Sequence, residues 1–163
     1  MTDDSFNPEE HVLCESSYFE DLDIGQRFVI PSRTLGDANF AAFQLTSGDN
    51  HPIHYDVEYC RRKGHPHMLA HGLQVMAQTA PGAGMLPHVL EDSLIGLIEA
   101  SAKFLKPVYC GDTVYPVLEI IDLTPGNTTG VITLRATVHN QHQELVLEGE
   151  QKMLVRKRPA QEG

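Results

Sequence analysis

The second half of the chain carries the clearest hydrophobic pattern. Between Gly130 and His139, apolar and polar side chains alternate with a period of two, which is typical of a half-buried strand. Glycine, proline and asparagine separate this run from its neighbours, and these residues favour tight turns. The strand-like runs are 94–108, 113–123, 130–139 and 144–155. They predict an antiparallel meander over the last seventy residues.

The first half predicts one more strand and two helices. Residues 26–34 form a strand-like run that Pro31 bends or confines to a sheet edge. Asp37 is a candidate N-cap for a helix that ends by Gly48, because glycine favours a helix terminus. A short helix is expected at 57–63.

A further helix is predicted to begin near Gly72. No charged residue occurs from Leu69 to Gly84, and Pro81 ends or kinks the helix. A helix without charge is expected to be buried on every side, most simply by a sheet wrapped around it. Its apolar stripe comprises Leu69, Leu73, Met76 and Ala80. The pattern predicts an α+β fold in which a curved antiparallel sheet wraps around a buried central helix.

Composition narrows the class of protein. The chain has 163 residues, which suits a single domain, and its net charge is −10. A field of that sign repels nucleic acid and anionic membranes, so neither is expected as a partner. No apolar run approaches the ~20 residues of a membrane span, and the first residues do not resemble a secretory signal. We therefore expect a cytoplasmic location.

Three cysteines form an odd set without a C-x-x-C pair, so reduced and mostly buried thiols are expected rather than a disulfide framework. They are Cys14, Cys60 and Cys110. The expected organisation is a flexible leader at 1–17, one domain at 18–157 and a tail at 158–163.

Histidines concentrate in one segment. Five of the nine fall within twenty-one residues: His51, His54, His65, His67 and His71. Zinc ligation is one interpretation, but the pairs lack helical i, i+4 spacing and no cysteine pair completes a tetrahedron. The prediction is therefore no metal.

Acid–base chemistry is the second interpretation of this segment. Asp49 and His54 are five residues apart, and Pro52 stiffens the chain between them, so a carboxylate and an imidazole can meet around one water. The alternative is that Asp49 only caps a turn and His54 is an ordinary loop histidine. Similarly, the N–H of Gly72 is either a donor to a developing oxyanion or part of a tight helix entry.

Four motifs, in order, resemble the MaoC-like dehydratase family, which includes the R-specific enoyl-CoA hydratases. The resemblance runs from about Tyr18 to Val155. The motifs are YFEDLDIGQ at 18–26, SGD…PIH at 47–54, AHG at 70–72 and FLKPVYCGDTV at 104–114.

This resemblance implies a single hot-dog domain, with about five antiparallel strands around the central helix, and a homodimer or higher homo-oligomer. It implies an acyl-CoA thioester as substrate and no cofactor, since coenzyme A is part of the substrate. By position, Asp49 and His54 would activate water and Gly72 N–H would polarise the thioester carbonyl. The implied reaction is reversible hydration of trans-2-enoyl-CoA to (3R)-3-hydroxyacyl-CoA. Candidate substrate-binding residues are Asn50, His51, His71, Arg61, Arg62, Lys63, Lys103 and Lys106.

The chain departs from the family pattern at two positions. His51 stands where the motif has asparagine, and Ala77 stands where several R-specific hydratases have serine. Two other functions remain open. A hot-dog thioesterase usually has an acidic residue on the central helix, which is missing between Leu69 and Gly84. A non-catalytic module that binds acyl-CoA is the other.

Overall fold

In the computed structural model, which describes residues 6–160, six strands form one antiparallel sheet. Its strands are β1 (Arg27–Val29), β2 (Arg33–Thr34), β3 (Leu94–Phe104), β4 (Thr113–Pro125), β5 (Thr129–Asn140) and β6 (Leu145–Arg156). The order is β1-β4-β5-β6-β3, with β2 also paired to β4. The four long strands lie where the hydrophobic pattern predicted them.

The predicted meander is wrong for β3. This strand pairs with β6, for example Lys103 with Glu148, and does not follow β4 in the sheet. The connection after β3 therefore crosses the sheet, and β3 becomes an edge strand. The run 26–34 is also divided: Pro31, which has no N–H to donate, lies between β1 and β2.

Helices α1 (Asp37–Ser47) and α2 (Val57–Arg62) lie close to their predicted positions. Gly36 rather than Asp37 is the N-cap residue of α1, and Gly48 ends that helix with φ +70°. Asp56 caps α2 by accepting a hydrogen bond from the N–H of Tyr59. Two further helices are α3 (Gly72–Ala77) and α4 (Leu86–Val89). Short 3-10 turns lie at Pro8–Glu10, Phe19–Asp21, Pro52–His54 and Pro81–Ala83.

The central helix is shorter and less enclosed than its composition predicted. Only six residues are α-helical in α3, because hydrogen bonds of the 3-10 type continue the chain towards Pro81. The prediction of burial on every side is also wrong. Val75 faces the core, whereas Leu73 is 56% exposed and Ala77 is exposed. One apolar face of α3 is therefore open in the single chain.

Two apolar clusters form the core on the inner face of the sheet. One includes Phe28, Leu118 and Leu134, and the other includes Phe40 and Val138. The second cluster also contains Val75, so α3 packs against the sheet there. This packing fixes the start of α3 relative to the loop after α1.

The segments flanking the domain have defined contacts. Ser17 donates its N–H to the carbonyl of Val89, although residues 1–5 of the expected leader lie outside the described residues. In the expected tail, Arg158 pairs with Asp21 and stacks on Tyr18, while residues 161–163 lie outside the described residues.

All three cysteines are free, but only Cys60 is buried, so the expectation of mostly buried thiols is wrong for Cys14 and Cys110. Across residues 6–160, no helix combines the length and apolarity that a bilayer crossing requires.

Candidate active site

Asp49 and His54 lie on the loop that follows α1. The left-handed backbone of Gly48 ends the helix, and Asp49 Oδ1 then accepts the backbone N–H of His51 at 3.0 Å. Pro52 begins the 3-10 turn that carries His54. Because the loop folds back in this way, both side chains face the same small space.

A backbone carbonyl fixes the tautomer of His54. Its Nδ1 lies 2.6 Å from the carbonyl oxygen of Leu69. That oxygen only accepts, so Nδ1 carries the hydrogen and Nε2 of the neutral ring keeps its lone pair. Nε2 lies 4.0 Å from Asp49 Oδ2. The exposed fraction is 13% for the side chain of His54 and 35% for that of Asp49.

The gap between these two atoms suits one water molecule. If a water oxygen lay about 2.8 Å from both atoms, the angle at that oxygen between the two atoms would be roughly 90°. This is close to the angle between the O–H bonds of water. Both atoms are acceptors, so such a water donates both hydrogens and directs its lone pairs elsewhere. The side chains of Asp49 and His54 therefore lie close enough for the predicted water to bridge them.

His71 makes a third contact in the same place. Its Nε2 lies 2.9 Å from Asp49 Oδ2, and its Nδ1 accepts the backbone N–H of Leu73 at 3.1 Å. Since Nδ1 accepts, Nε2 of the neutral ring carries the hydrogen and donates it to the carboxylate. The rings of His71 and His54 lie 5.0 Å apart between centroids.

The surroundings of Asp49 favour its ionised form. The pKa of this carboxyl group is lowered, first by the N–H of His51 and further by His54 and His71, against an opposing effect of desolvation. The nearby Tyr55 has a raised pKa, first through burial and then through the charge of Asp49. The site thus presents a carboxylate 4.0 Å from the Nε2 atom of His54.

Gly72 is the first residue of α3, directly after His71. Within residues 6–160, its N–H donates to no acceptor, as expected for the first turn of a helix. A groove of about 410 Å³ runs beside it, lined partly by Phe104 and Lys106. This amide is therefore available to a carbonyl oxygen bound in the groove.

The predicted cationic residues are distributed over different surfaces. Lys106 lines the groove beside Gly72 and pairs with Glu144 at 2.6 Å. Lys103 lies opposite Glu148 on the outer face of the sheet, where it lines a second groove with Arg135. The structure therefore brings Lys106, and not Lys103, to the side of Gly72.

The remaining cations belong to α2 and its end. Arg61 pairs with Glu58 of the same helix. The guanidinium of Arg62 and the ammonium of Lys63 lie 5.9 and 5.6 Å from the ring centroid of Tyr59. This ring also contacts the ring of His51, at 5.7 Å between centroids, so the basic cluster adjoins the loop that carries Asp49 and His54.

Asn50 and His51 both serve the loop itself. The side-chain oxygen of Asn50 accepts from Gln44, and its nitrogen donates to the carbonyl of Gly48. His51 accepts the N–H of Ile53 on Nδ1 and so caps the 3-10 turn that carries His54.

Asp49, His54 and His71 are also the one group of three metal-ligating side chains found within residues 6–160, with ligand atoms within 4.8 Å of one another. The hydrogen bonds of His71 oppose ligation, because its Nε2 carries the proton that Asp49 accepts. A metal would need that nitrogen unprotonated. The donor set therefore does not fit a metal ion as it stands.

Sequence reasoning did not predict the contacts that three groups of this site make, and for His71 it predicted substrate binding instead. The first two are the Leu69 carbonyl, which orients His54, and the imidazole of His71, which holds Asp49. The third is Phe104, whose ring lies against Gly72. The signal for His71 was its position before a helix-starting glycine, where a side chain can cap the helix.

Comparisons with known proteins identify the family of this chain. Residues 21–141 match the MaoC-like domain family. An (R)-specific enoyl-CoA hydratase from Rhodospirillum rubrum is 28% identical over 142 residues, which cover 85% of this chain and 91% of that protein.

Two solved structures have the same fold. The monoamine oxidase regulatory protein from Archaeoglobus fulgius has a TM-score of 0.82 and 28% identity, over 91% of this chain and 99% of that one. Rv0216 from Mycobacterium tuberculosis, described as a double hot-dog fold, has a TM-score of 0.73 and 26% identity, over 91% of this chain and 46% of that one. The chain therefore belongs to the MaoC-like dehydratase family and has the hot-dog fold.

Proposed function

We propose that this protein catalyses the reversible syn addition of water to a trans-2-enoyl-CoA, giving the (3R)-3-hydroxyacyl-CoA. The observation that carries the proposal is the 4.0 Å gap between Asp49 Oδ2 and His54 Nε2, two acceptors that face each other. Membership of the MaoC-like dehydratase family and the similarity to an (R)-specific enoyl-CoA hydratase support the reaction class.

Asp49 and His54 would activate the water. A water that donates one hydrogen to Asp49 Oδ2 and the other to His54 Nε2 points an oxygen lone pair at the bound substrate. As the oxygen bonds to C3 of the enoyl group, the pair removes one proton. General-base catalysis of this kind contributes ~10²–10⁴-fold to a rate.

Gly72 would stabilise the charge that forms at the other end of the conjugated system. Addition at C3 moves an electron pair through C2 to the thioester oxygen, which becomes enolate-like. A hydrogen bond from the N–H of Gly72 to that oxygen is stronger in the transition state than in the ground state, and so lowers the barrier.

The same pair would complete the reaction by returning a proton to C2. The hydroxyl group and the proton then arrive from the same face, which gives syn addition. The hydroxyl group of the water ends on C3 and a proton ends on C2, so no electrons are gained or lost overall. The proposed reaction therefore needs no redox cofactor.

The coenzyme A phosphates require cations near the groove. Lys106 is the candidate placed beside Gly72, and Arg62 and Lys63 adjoin the catalytic loop through Tyr59. Attraction between these cations and the phosphates would strengthen binding without taking part in the chemistry. We therefore propose that these residues contact the coenzyme A part of the substrate and not the reacting acyl group.

A second copy of the chain would cover the open face of α3. Strand β3 is an edge of the sheet, and Leu97 and Ile98 on it are exposed, as is Leu73 on α3. An unpaired edge of eleven residues can pair antiparallel with its own copy about a twofold axis. We propose such a homodimer, which would also bury Ala77.

Sedimentation velocity tests this assembly. The wild type should sediment as a dimer, and Leu73→Asp should shift it towards the monomer with an unchanged circular dichroism spectrum. Leu45→Asp is the matched control, because Leu45 is 87% exposed on α1. A monomeric wild type would refute the dimer.

The proposed activity is tested with a panel of enoyl-CoA thioesters of increasing chain length. Loss of absorbance by the conjugated thioester reports hydration, and free thiol reports hydrolysis. Hydration without thiol release supports the proposal. Thiol release without loss of conjugation would instead assign a thioesterase, and binding without either change would assign a non-catalytic module.

A further inference from the structure

His71 occupies a junction between the two halves of the candidate site. Its ring receives the N–H of Leu73 on Nδ1 at 3.1 Å and gives the hydrogen of Nε2 to Asp49 Oδ2 at 2.9 Å. The ring packs between His54 and Phe43, with centroid distances of 5.0 and 5.2 Å. One side chain thus contacts α1, the catalytic loop and the start of α3.

We propose that His71 is a positioning residue that aligns the carboxylate of Asp49 with the N–H of Gly72. The inference rests on the proposed function, because alignment is needed only if both groups act on one substrate. It replaces the expectation that His71 contacts substrate.

Both ring nitrogens of His71 already have hydrogen-bond partners within the protein. A neutral imidazole has one donor and one acceptor, and here each has a protein partner. A hydrogen bond to substrate would require one of them to be broken. His71 therefore acts through Asp49 and not on the acyl group.

His71 also limits the rotation of the Asp49 carboxylate about its terminal torsion. Asp49 Oδ1 is held by the N–H of His51, which is a single point of attachment. The terminal torsion of aspartate is soft, so one bond leaves the other oxygen free to rotate. The bond from His71 to Oδ2 removes that freedom and keeps this oxygen 4.0 Å from His54 Nε2.

His71 also restrains the backbone around Gly72. Its imidazole belongs to the residue before the Gly72 N–H and accepts the N–H of Leu73, the residue after it. The distance between the water site and the carbonyl site is thus set through one residue. A misplacement of about 1 Å in such an arrangement costs around 10²-fold in rate.

Two substitutions of His71 each remove one of its two hydrogen bonds and keep the other. In His71→Asn, the side-chain oxygen stands near Nδ1, so it can cap α3 but cannot reach Asp49. In His71→Gln, the amide nitrogen stands near Nε2, so it can donate to Asp49 while the cap is lost. His88→Asn and His88→Gln are matched controls at an exposed position outside the site.

The positioning role predicts opposite effects on activity and stability. We expect kcat of His71→Asn to fall at least ~10-fold with KM within about threefold and Tm near the wild type. We expect kcat of His71→Gln, which keeps the bond to Asp49 and loses only the bond to Leu73, to fall less than that of His71→Asn, with a loss of ~2–4 °C in Tm, as for the loss of an N-cap in a chain of this length. The His88 variants should change neither. Equal activity of the two His71 variants, or higher activity in His71→Asn, would overturn the inference.

A double-mutant cycle tests the contact independently of the proposed reaction. The free energy of unfolding is measured for wild type, Asp49→Asn, His71→Asn and the double variant. A bond between the side chains makes the two losses non-additive. Additive losses would overturn the inference even if no enoyl-CoA is turned over, whereas coupling in an enzymatically inactive wild type would refute the proposed function alone.

Discussion

The ring of Phe104 lies so close to Gly72 that a Cβ added to this glycine would be 3.1 Å from the ring. That distance is tighter than an ordinary van der Waals contact, so an added methyl group would displace the ring by a few tenths of an ångström. Gly72 therefore allows an aromatic wall to pack directly against the proposed carbonyl-binding amide. Half of the Phe104 side chain is exposed, so the ring has room to move.

From this contact we expect Gly72→Ala to lower kcat/KM by about tenfold, which is ~1.4 kcal/mol of transition-state stabilisation, with little loss of folding stability. Adding Phe104→Leu should return activity to the level of Phe104→Leu alone, since the crowding is then removed. Gly82→Ala is the control, because nothing lies within 4 Å of its added Cβ. Full activity of Gly72→Ala would show that the contact does not shape the site.

The Asp49–His54 pair should behave as a unit. We expect His54→Gln and Asp49→Asn each to lower kcat/KM by ~10²–10⁴-fold, and the double variant to be barely worse than either one. Initial rates with a short enoyl-CoA measure the three effects. Losses that multiply in the double variant would mean that the two residues do separate work.

The lowered pKa of Asp49 gives a prediction about pH. Because the pKa of this carboxyl group lies below its usual value, the group loses its charge only below about pH 4 and remains ionised at about pH 5 and above. The ¹³C NMR shift of the Asp49 carboxyl carbon should therefore be that of a carboxylate at both about pH 5 and pH 8. A shift that moves towards the protonated form at pH 5 would contradict this prediction.

A buried amide on α3 predicts a stabilising substitution. Gln74 is 3% exposed, and its Nε2 has no hydrogen-bond partner within residues 6–160. An unpaired buried polar group costs about 1–3 kcal/mol, and Gln74→Leu removes it at similar volume. We expect Tm to rise by ~2–4 °C per kcal/mol recovered.

Gln141→Leu is the control for that measurement, since this amide already donates to Asp112 at the surface. It should give no gain in Tm. A fall in the Tm of Gln74→Leu would mean that the amide of Gln74 has a partner in solution, such as a buried water.

Local patterns predicted the four long strands and the proximity of Asp49 and His54 on one loop. Alternation of side chains between Gly130 and His139 defined β5, because one face of that strand is buried. The Asp49–His54 pair was predictable since both residues belong to one short loop and Pro52 restricts its path. Period-two alternation also explains why Lys103 does not lie beside Gly72. Lys103 is next to Phe104 on β3, so their side chains occupy opposite faces of the sheet.

Other features depend on contacts that no local pattern contains. The role of His71 requires the start of α3 to meet the loop after α1, and this meeting is set by packing on the sheet. The open face of α3 was mistaken for a buried one because apolar composition does not say what covers it. Leu73 and Ala77 would be covered only in the proposed dimer.

The most direct test of the account compares wild type with Asp49→Asn on a short trans-2-enoyl-CoA, with Asp92→Asn as an exposed control. The account predicts that wild type and Asp92→Asn consume the conjugated thioester without releasing thiol and form the (3R)-hydroxy product. It predicts a loss of at least ~10²-fold in folded Asp49→Asn. A loss below tenfold, or a wild type that leaves every enoyl-CoA unchanged, would contradict it.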